Sequence, residues 1–413
     1  MDKTVLEKIC KRIDGYRNDA INLEKELTAI PALAPESDGD GEQKKSEFIH
    51  SYLKNELHCK DTNFYNAPDD RVSAGHRPNL IAKFKGKSSD SILWIMSHMD
   101  VVPPGDLSKW NGDPWTTRVE NGKIFGRGTE DNQQAIVSSL LTVKAFLDEG
   151  IEPGKSIGLI FVADEETGSH YGIQYLLENH KDLFRKEDFF LIPDAGNEDG
   201  TLVEVAEKSI IWFKFEVLGK QTHGSTPELG INAHKAGANL IVALDNLHTT
   251  FNASDPVFDP PISTFEPTRK EANVPNVNTI PGEDIFYYDC RLLPNYDVDD
   301  LWKNVKKVCK KVEEKHGVSI AVTSPQELRA APPTPVDAPV VKAIQLAISE
   351  IRNVETEPKG IGGGTVAAFF REAGFNSVVW ATQDETLHEP NEYVKIENIL
   401  DDAKVFAYVA LQC

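Results

Sequence analysis

In Ile92-Leu93-Trp94-Ile95-Met96-Ser97-His98-Met99-Asp100 an apolar run of five residues is followed by a segment carrying an imidazole and a carboxylate. It is entered from Lys87-Ser88-Ser89-Asp90 and left through Val101-Val102-Pro103-Pro104-Gly105, so it reads as a buried strand running into a loop. His98 and Asp100 therefore stand at the carboxyl end of a strand, where open α/β sheets build their sites. The same pattern recurs downstream. Gly128-Thr129-Glu130-Asp131 precedes a helical stretch. Asp164-Glu165-Glu166-Thr167-Gly168 follows the apolar run Ile157 to Ala163. Pro193-Asp194-Ala195-Gly196 follows Asp188 to Ile192, and His388 follows Ser377-Val378-Val379-Trp380. Two histidines and several carboxylates delivered to one edge of one sheet are the ingredients of a metal site.

Working outward, the first half alternates strands and helices. Helices are expected over Tyr16 to Ile30, Ser46 to Leu57, Gln134 to Glu149 and Tyr171 to Glu178. The third carries Ile136, Leu140, Val143 and Leu147 at helical steps and stops at Gly150. Short buried strands between helices imply an α/β fold, a mostly parallel sheet with helices on both faces. Near Lys208 the period changes. Ile211, Phe213, Phe215 and Val217 alternate with polar residues, a period-2 strand. A helix from Asn232, strands near Val274 to Ile280 and Asp284 to Leu292, a helix Asp297 to Lys315 and a strand Val318 to Thr323 complete a βαββαβ, ferredoxin-like order. After Ser324-Pro325 and a Pro-rich linker the α/β pattern returns, with helices at Ala338 to Ile351 and Ile396 to Leu411. The expected division is a catalytic domain over 1–207 and 325–413, interrupted by an inserted dimerisation or lid domain over 208–324.

The bulk numbers exclude several classes. With 65 acidic against 44 basic residues the formal charge is −21, which argues against nucleic acid or an anionic membrane surface as partner. No apolar stretch nears the roughly 18 residues needed to span a bilayer, and Met1 to Ala20 shows no secretory h-region. Cys10, Cys59, Cys290, Cys309 and Cys413 are scattered and odd in number, as expected for reduced thiols in a cytoplasmic protein.

In this order the motifs resemble the dinuclear zinc hydrolases that include aminoacylases, carnosinase-type dipeptidases, tripeptide aminopeptidases, glutamate carboxypeptidases and succinyl-diaminopimelate desuccinylase. To those above are added Phe125-Gly126-Arg127, Thr222-His223-Gly224-Ser225-Thr226-Pro227, Asn278-Thr279-Ile280-Pro281, Asp289-Cys290-Arg291, Gly362-Gly363-Gly364-Thr365 and His388-Glu389-Pro390-Asn391-Glu392. The resemblance implies two divalent ions, zinc first and cobalt or manganese as alternatives. Asp131 bridges them, His98 and Asp194 complete one set, and Glu166 and His388 the other. It assigns Glu165 as general base and implies that His223 stabilises the oxyanion from the partner subunit of a homodimer formed through 208–324. Asp100 is read as accepting a hydrogen bond from His98. Asn278 and Arg291 match substrate-holding groups, although Arg291 can equally pair with Asp289. Gly363, Gly364 and Thr365 offer N–H groups and a hydroxyl to a substrate carboxylate; the segment lacks the Lys and spacing of a phosphate loop.

Three departures stand out: Asn132-Gln133-Gln134 follows Asp131 where the family has Met or Asp, Lys and Gly; Ser97 replaces the commoner glycine; and the glycine-rich segment lacks the aspartate often found after its Thr. In the family an aspartate in the role of Asp194 goes with dipeptidases and aminopeptidases, so cleavage of small peptides leads. N-acyl amino acid deacylation or desuccinylation is the alternative. A metal-binding homologue without catalysis comes third, and Glu165 with His223 speaks against it.

Overall fold

The computed structural model describes residues 2–412 and resolves into two compact units. One comprises 1–205, 334–358 and 365–413, the other 206–333 and 359–364.

The first unit is built on a sheet whose central four strands are parallel and adjacent, in the order Lys155–Val162, Ser88–His98, Phe189–Asn197, Ser377–Thr382. Further strands extend it on both sides. Asp61–Pro68 and His76–Phe84 form a hairpin beside Lys155–Val162. Leu202–Glu207 lies against Ser377–Thr382, followed by Glu357–Ile361. The division between the units falls inside these last two strands. Alternation sets the two faces. Trp94, Met96, Ile160, Val162, Phe190 and Ile192 pack with helices Ile173–Asn179 and Ala367–Glu372, while Leu93, Ile95, Leu159 and Phe161, also buried, point to the other face.

Helix Gln134–Glu149 runs along that other face against helix Ile396–Leu411. It is buried nearly all round, so its polar residues must bond internally. Ser138 and Thr142 donate to carbonyls of their own helix and to Ile399 and Ala403 of its neighbour. Leu147, expected on the apolar stripe, is 47% exposed; it belongs to the last turn, next to the left-handed Gly150 that caps the helix.

The sequence reading assigns nothing to 61–84 or to Lys3–Asp14, where the structure has the hairpin and an amphipathic helix. Asp61–Pro68 is an edge strand with one buried residue, Ala67, and carries no apolar period to detect.

The second unit is a four-stranded antiparallel sheet in the order Thr264–Lys270, Glu283–Leu292, Ser209–Leu218, Ser319–Leu328. Helices Ala233–Leu244 and Val298–His316 cover one face. Phe213, Phe215, Val217, Phe286, Leu240 and Val305 form its core, with Phe215 stacked on Phe286 at 5.1 Å. The βαββαβ order holds, with two corrections. The second strand is Thr264–Lys270, not Val274 to Ile280; only Thr279–Ile280 is extended there, pairing with Thr222–His223 as a short arm. The last strand does not stop at Thr323. Ser324-Pro325 sits in a register shift between Thr323 and Gln326, where a proline costs no ladder bond, and the strand runs on to Leu328. No helix among the described residues is long and apolar enough to cross a membrane.

Candidate metal centre

The four central strands deliver four of the five candidate ligands from their carboxyl ends; the fifth, Asp131, lies in the irregular turn Thr129–Gln133 that leads into helix Gln134–Glu149. His98 closes Ser88–His98 and is buried, 1% exposed. Glu165 and Glu166 open the turn after Lys155–Val162, Asp194 lies in Phe189–Asn197, and His388 stands in the loop after Ser377–Thr382. His98 Nε2 is 2.8 Å from Asp131 Oδ1 and 3.3 Å from Asp194 Oδ1. His388 Nε2 is 3.2 Å from Asp131 Oδ2 and 3.2 Å from Glu166 Oε2. The five residues thus make two sets sharing Asp131, each with its ligand atoms within 4.8 Å of one another.

The electrostatics fit a pair of cations. Burial disfavours a charged His98, but the carboxylates of Asp194, Asp100 and Asp131 outweigh it and hold its pKa well above the usual range. Hydrogen bonds to Asp131 and Glu166 lift His388 to about 10. Burial, with Asp194 close by, pushes Glu165 well above the ordinary carboxylate range, and burial likewise raises Glu166. Glu166 Oε1 is buried and has no hydrogen-bond partner among the described residues. An orphaned carboxylate oxygen within an excess of negative charge is the environment a divalent cation relieves. Glu165 points elsewhere than its neighbour, with Oε2 4.0 Å from His98 Nε2.

Asp100 does more than the sequence suggests. His98 Nδ1 lies 3.1 Å from its backbone oxygen and 3.4 Å from its carboxylate. The carboxylate accepts the backbone N–H groups of Glu165 and Glu166 at 3.1 and 3.0 Å. Asp100 thereby ties the His98 strand end to the glutamate turn.

Three further residues hold the ligands, none of which the sequence reading gives a role. Asn132 accepts the N–H of His98 at 3.2 Å and donates to Asp194 Oδ1 at 2.8 Å, so one carboxamide spans two ligands; the Asp131–Asn132 peptide is cis. Glu392, fully buried, accepts the N–H groups of Gly128, Glu130 and Asp131 and pairs with Arg127. Burial pushes its carboxyl up to about 7 against the pull of Arg127. Glu130 returns the grip, accepting the N–H groups of Asp384 and Thr386 in the loop that carries His388. The signal was in the motif residues themselves, since Glu130 and Glu392 flank two proposed ligands. The departures after Asp131 also have local partners: Gln133 accepts from Thr28, and Gln134 donates to Asp402. Gly128, at φ 89°, makes the turn that a side chain would strain.

In the second unit His223 and Asn278 come together on the exposed arm, with Asn278 Nδ2 3.5 Å from His223 Nε2. Ser225 folds back on the ring, with its backbone nitrogen 3.2 Å and its hydroxyl oxygen 2.7 Å from His223 Nδ1. Arg291 forms a two-pronged ion pair with Asp289, at 2.6 and 2.8 Å, and its remaining nitrogen donates to Gly362 O at 2.6 Å. Gly363 and Gly364 belong to this unit, whereas Thr365 belongs to the first and accepts the N–H of Ala367.

The chain is similar to known proteins over nearly its whole length. The chain is 41% identical to an uncharacterized metallohydrolase of Methanococcus maripaludis over 409 residues, 94% of this chain and 98% of the relative. It is 25% identical to a succinyl-diaminopimelate desuccinylase of Wolbachia pipientis over 385 residues, 92% and 90% of the two chains. The aminopeptidase PepT of Bacillus cereus shares its fold, with a TM-score of 0.73 at 18% identity, over 96% and 98% of the two chains. Residues 94–412, which hold all five ligand candidates, match Peptidase family M20/M25/M40, and the chain therefore belongs to that family of metal-dependent hydrolases.

Proposed function

We propose that this protein cleaves the amide bond of small peptides, as a dipeptidase or aminopeptidase. The observation that carries the reading is the pair of imidazole–carboxylate sets sharing Asp131, with Glu165 beside them and free of both. Two divalent ions, zinc in the first place and cobalt or manganese as substitutes, would supply a water of lowered pKa and polarise the scissile carbonyl. Glu165 takes the proton of the attacking water and hands it to the leaving nitrogen. Asp100 and Asn132 fix the orientation of His98, Glu166 and Asp194. The four described cysteines are unpaired, in keeping with a cytoplasmic protein. The aspartate at 194 favours peptides, and likeness to a desuccinylase favours the second reading, an N-acyl amino acid deacylase. A panel of dipeptides, tripeptides and N-acetyl and N-succinyl amino acids, assayed on zinc- and cobalt-loaded protein, separates them. Peptides are expected to turn over faster. The reverse order moves the protein to the second reading, and no turnover of either class removes both.

The partner is a second copy of the chain, joined through 208–324 in a closed two-fold dimer. Every proposed ligand lies in the first unit and His223 in the second, where it is exposed. An exposed imidazole, with Asn278 beside it, suits an oxyanion in the partner's site. Mixing inactive Glu165→Ala and His223→Ala subunits is expected to restore activity on subunit exchange, because some heterodimers then hold one intact site. Full activity of His223→Ala alone, or no recovery after demonstrated exchange, removes this role.

A further inference from the structure

The turn that carries Glu165 and Glu166 is gripped from two sides. Asp100 holds one side. The other is held by residues that precede the segment matched to the family, 94–412. Strand His76–Phe84 pairs antiparallel with Lys155–Val162, Leu80 opposite Phe161 and Ile81 opposite Ile160. The same register carried past the end of the ladder sets Asn79 opposite Val162 and Arg77 opposite Asp164. Asn79 accepts the N–H of Ala163 at 3.2 Å and donates to the carbonyl of Tyr171 at 2.8 Å, pinning both ends of the turn. Arg77 is fully buried and forks onto the equally buried Glu42, with Nε 2.6 Å from Oε2 and Nη2 on Oε1. Glu42 Oε1 accepts the N–H of Asp164 at 3.3 Å. Arg77 Nη1 lies 3.6 Å from Asp164 Oδ1 and 3.7 Å from Asp69 Oδ2, buried and with no hydrogen bond among the described residues. Asp164 itself sits at φ 65° and accepts the N–H of Tyr171 and the hydroxyl of Thr167.

A buried ion pair is a poor device for stability alone, since apolar residues of the same volume do as well or better. Its value is directional. Arg presents a planar fork, so the carboxylates around it have one favourable arrangement. Here that arrangement includes the backbone of Asp164, one residue before the proposed base and two before a proposed ligand. Adjacent glutamates with different tasks need a turn set at one rotation, because a small roll would swing both carboxylates at once.

We propose that Arg77 and Glu42 are positioning residues that set the Glu165–Glu166 turn, so that one glutamate faces the substrate and the other the metal. The inference rests on the proposed roles of Glu165 and Glu166. Removing one partner leaves a buried charge uncompensated and endangers the fold. The principal variant of the full chain is therefore the double Glu42→Met/Arg77→Met. It is expected to fold. Its kcat on the best substrate of the panel should fall by roughly 10–100-fold with KM changed far less, and its zinc affinity, read by competition with a chromophoric chelator, should weaken by about tenfold or more. Arg77→Lys restores the charge without the fork and is expected to fall between wild type and the double variant in both readouts. A purely structural pair would lower only the melting temperature. Wild-type kcat and zinc affinity in the folded double variant overturn the proposal, and the same result for Arg77→Lys does so if the double variant does not fold. Glu165→Gln, run in parallel, keeps the two ideas apart. If it stays active, the general-base reading fails and the brace is judged on zinc affinity, through Glu166. If it is inactive while the brace variants match wild type, the brace alone fails.

Discussion

Glu165→Gln is expected to bind metal like the wild type and to lose roughly 10²–10⁴-fold in kcat, the usual effect of removing a general base. The amide keeps the size of the side chain and removes only its ability to take a proton. Glu165 sits 4.0 Å from His98 Nε2 and belongs to neither imidazole–carboxylate set, so its loss leaves five ligand candidates in place. Metal content and steady-state kinetics on one preparation decide the matter. Loss of metal would show that Glu165 and Glu166 have been assigned the wrong way round. Activity near wild type would show that the proton goes elsewhere.

Asp131→Ala is expected to empty both sets at once and to abolish turnover. The effect should exceed the roughly 10–100-fold that follows loss of a hydrogen-bond partner of a ligand. Its two oxygens face His98 and His388, one each, so no other single change reaches both. His388→Ala should cost the exposed set, and His98→Ala the buried one, as judged by metal stoichiometry. Chelation of the wild type should likewise stop activity, and zinc, cobalt or manganese should restore it. Full activity in metal-free protein, or a full metal complement in Asp131→Ala, contradicts the bridging role.

Four of the five ligand candidates were legible because each follows an apolar strand, and Asp131 because it stands just ahead of a long apolar helix; short motifs at such ends survive errors in element boundaries. Helix Gln134–Glu149 matched its expected bounds for a similar reason: a long apolar period with glycine at its end. What stayed hidden was of two kinds. Edge strands lack a period. In Thr264–Lys270 only Phe265 is buried and Pro267 sits at a register shift, so nothing alternates. Conversely, Val274, Val277 and Ile280 suggested a strand, yet Val277 lies on the outside of the arm. The second kind is partnership across distance. Arg77 and Glu42 are 35 residues apart and belong to no motif, and neither reads as more than an ordinary surface charge until the fold buries both. Arg291 had two readings, and the structure places it on Asp289.

The reciprocal grip of Glu130 and Glu392 joins positions 262 residues apart. During synthesis the strands that present His98, Glu166 and Asp194 emerge long before the loop that presents His388. Until that loop docks, the N–H groups of Gly128, Glu130 and Asp131 lack the carboxylate that receives them, and the shared aspartate has no fixed seat. Closing so long a loop adds little entropy beyond a shorter one, so the arrangement costs order in time more than stability. A nascent chain on the ribosome therefore lacks the complete pair of ligand sets for most of its making, and the centre closes only once the polypeptide has come full circle.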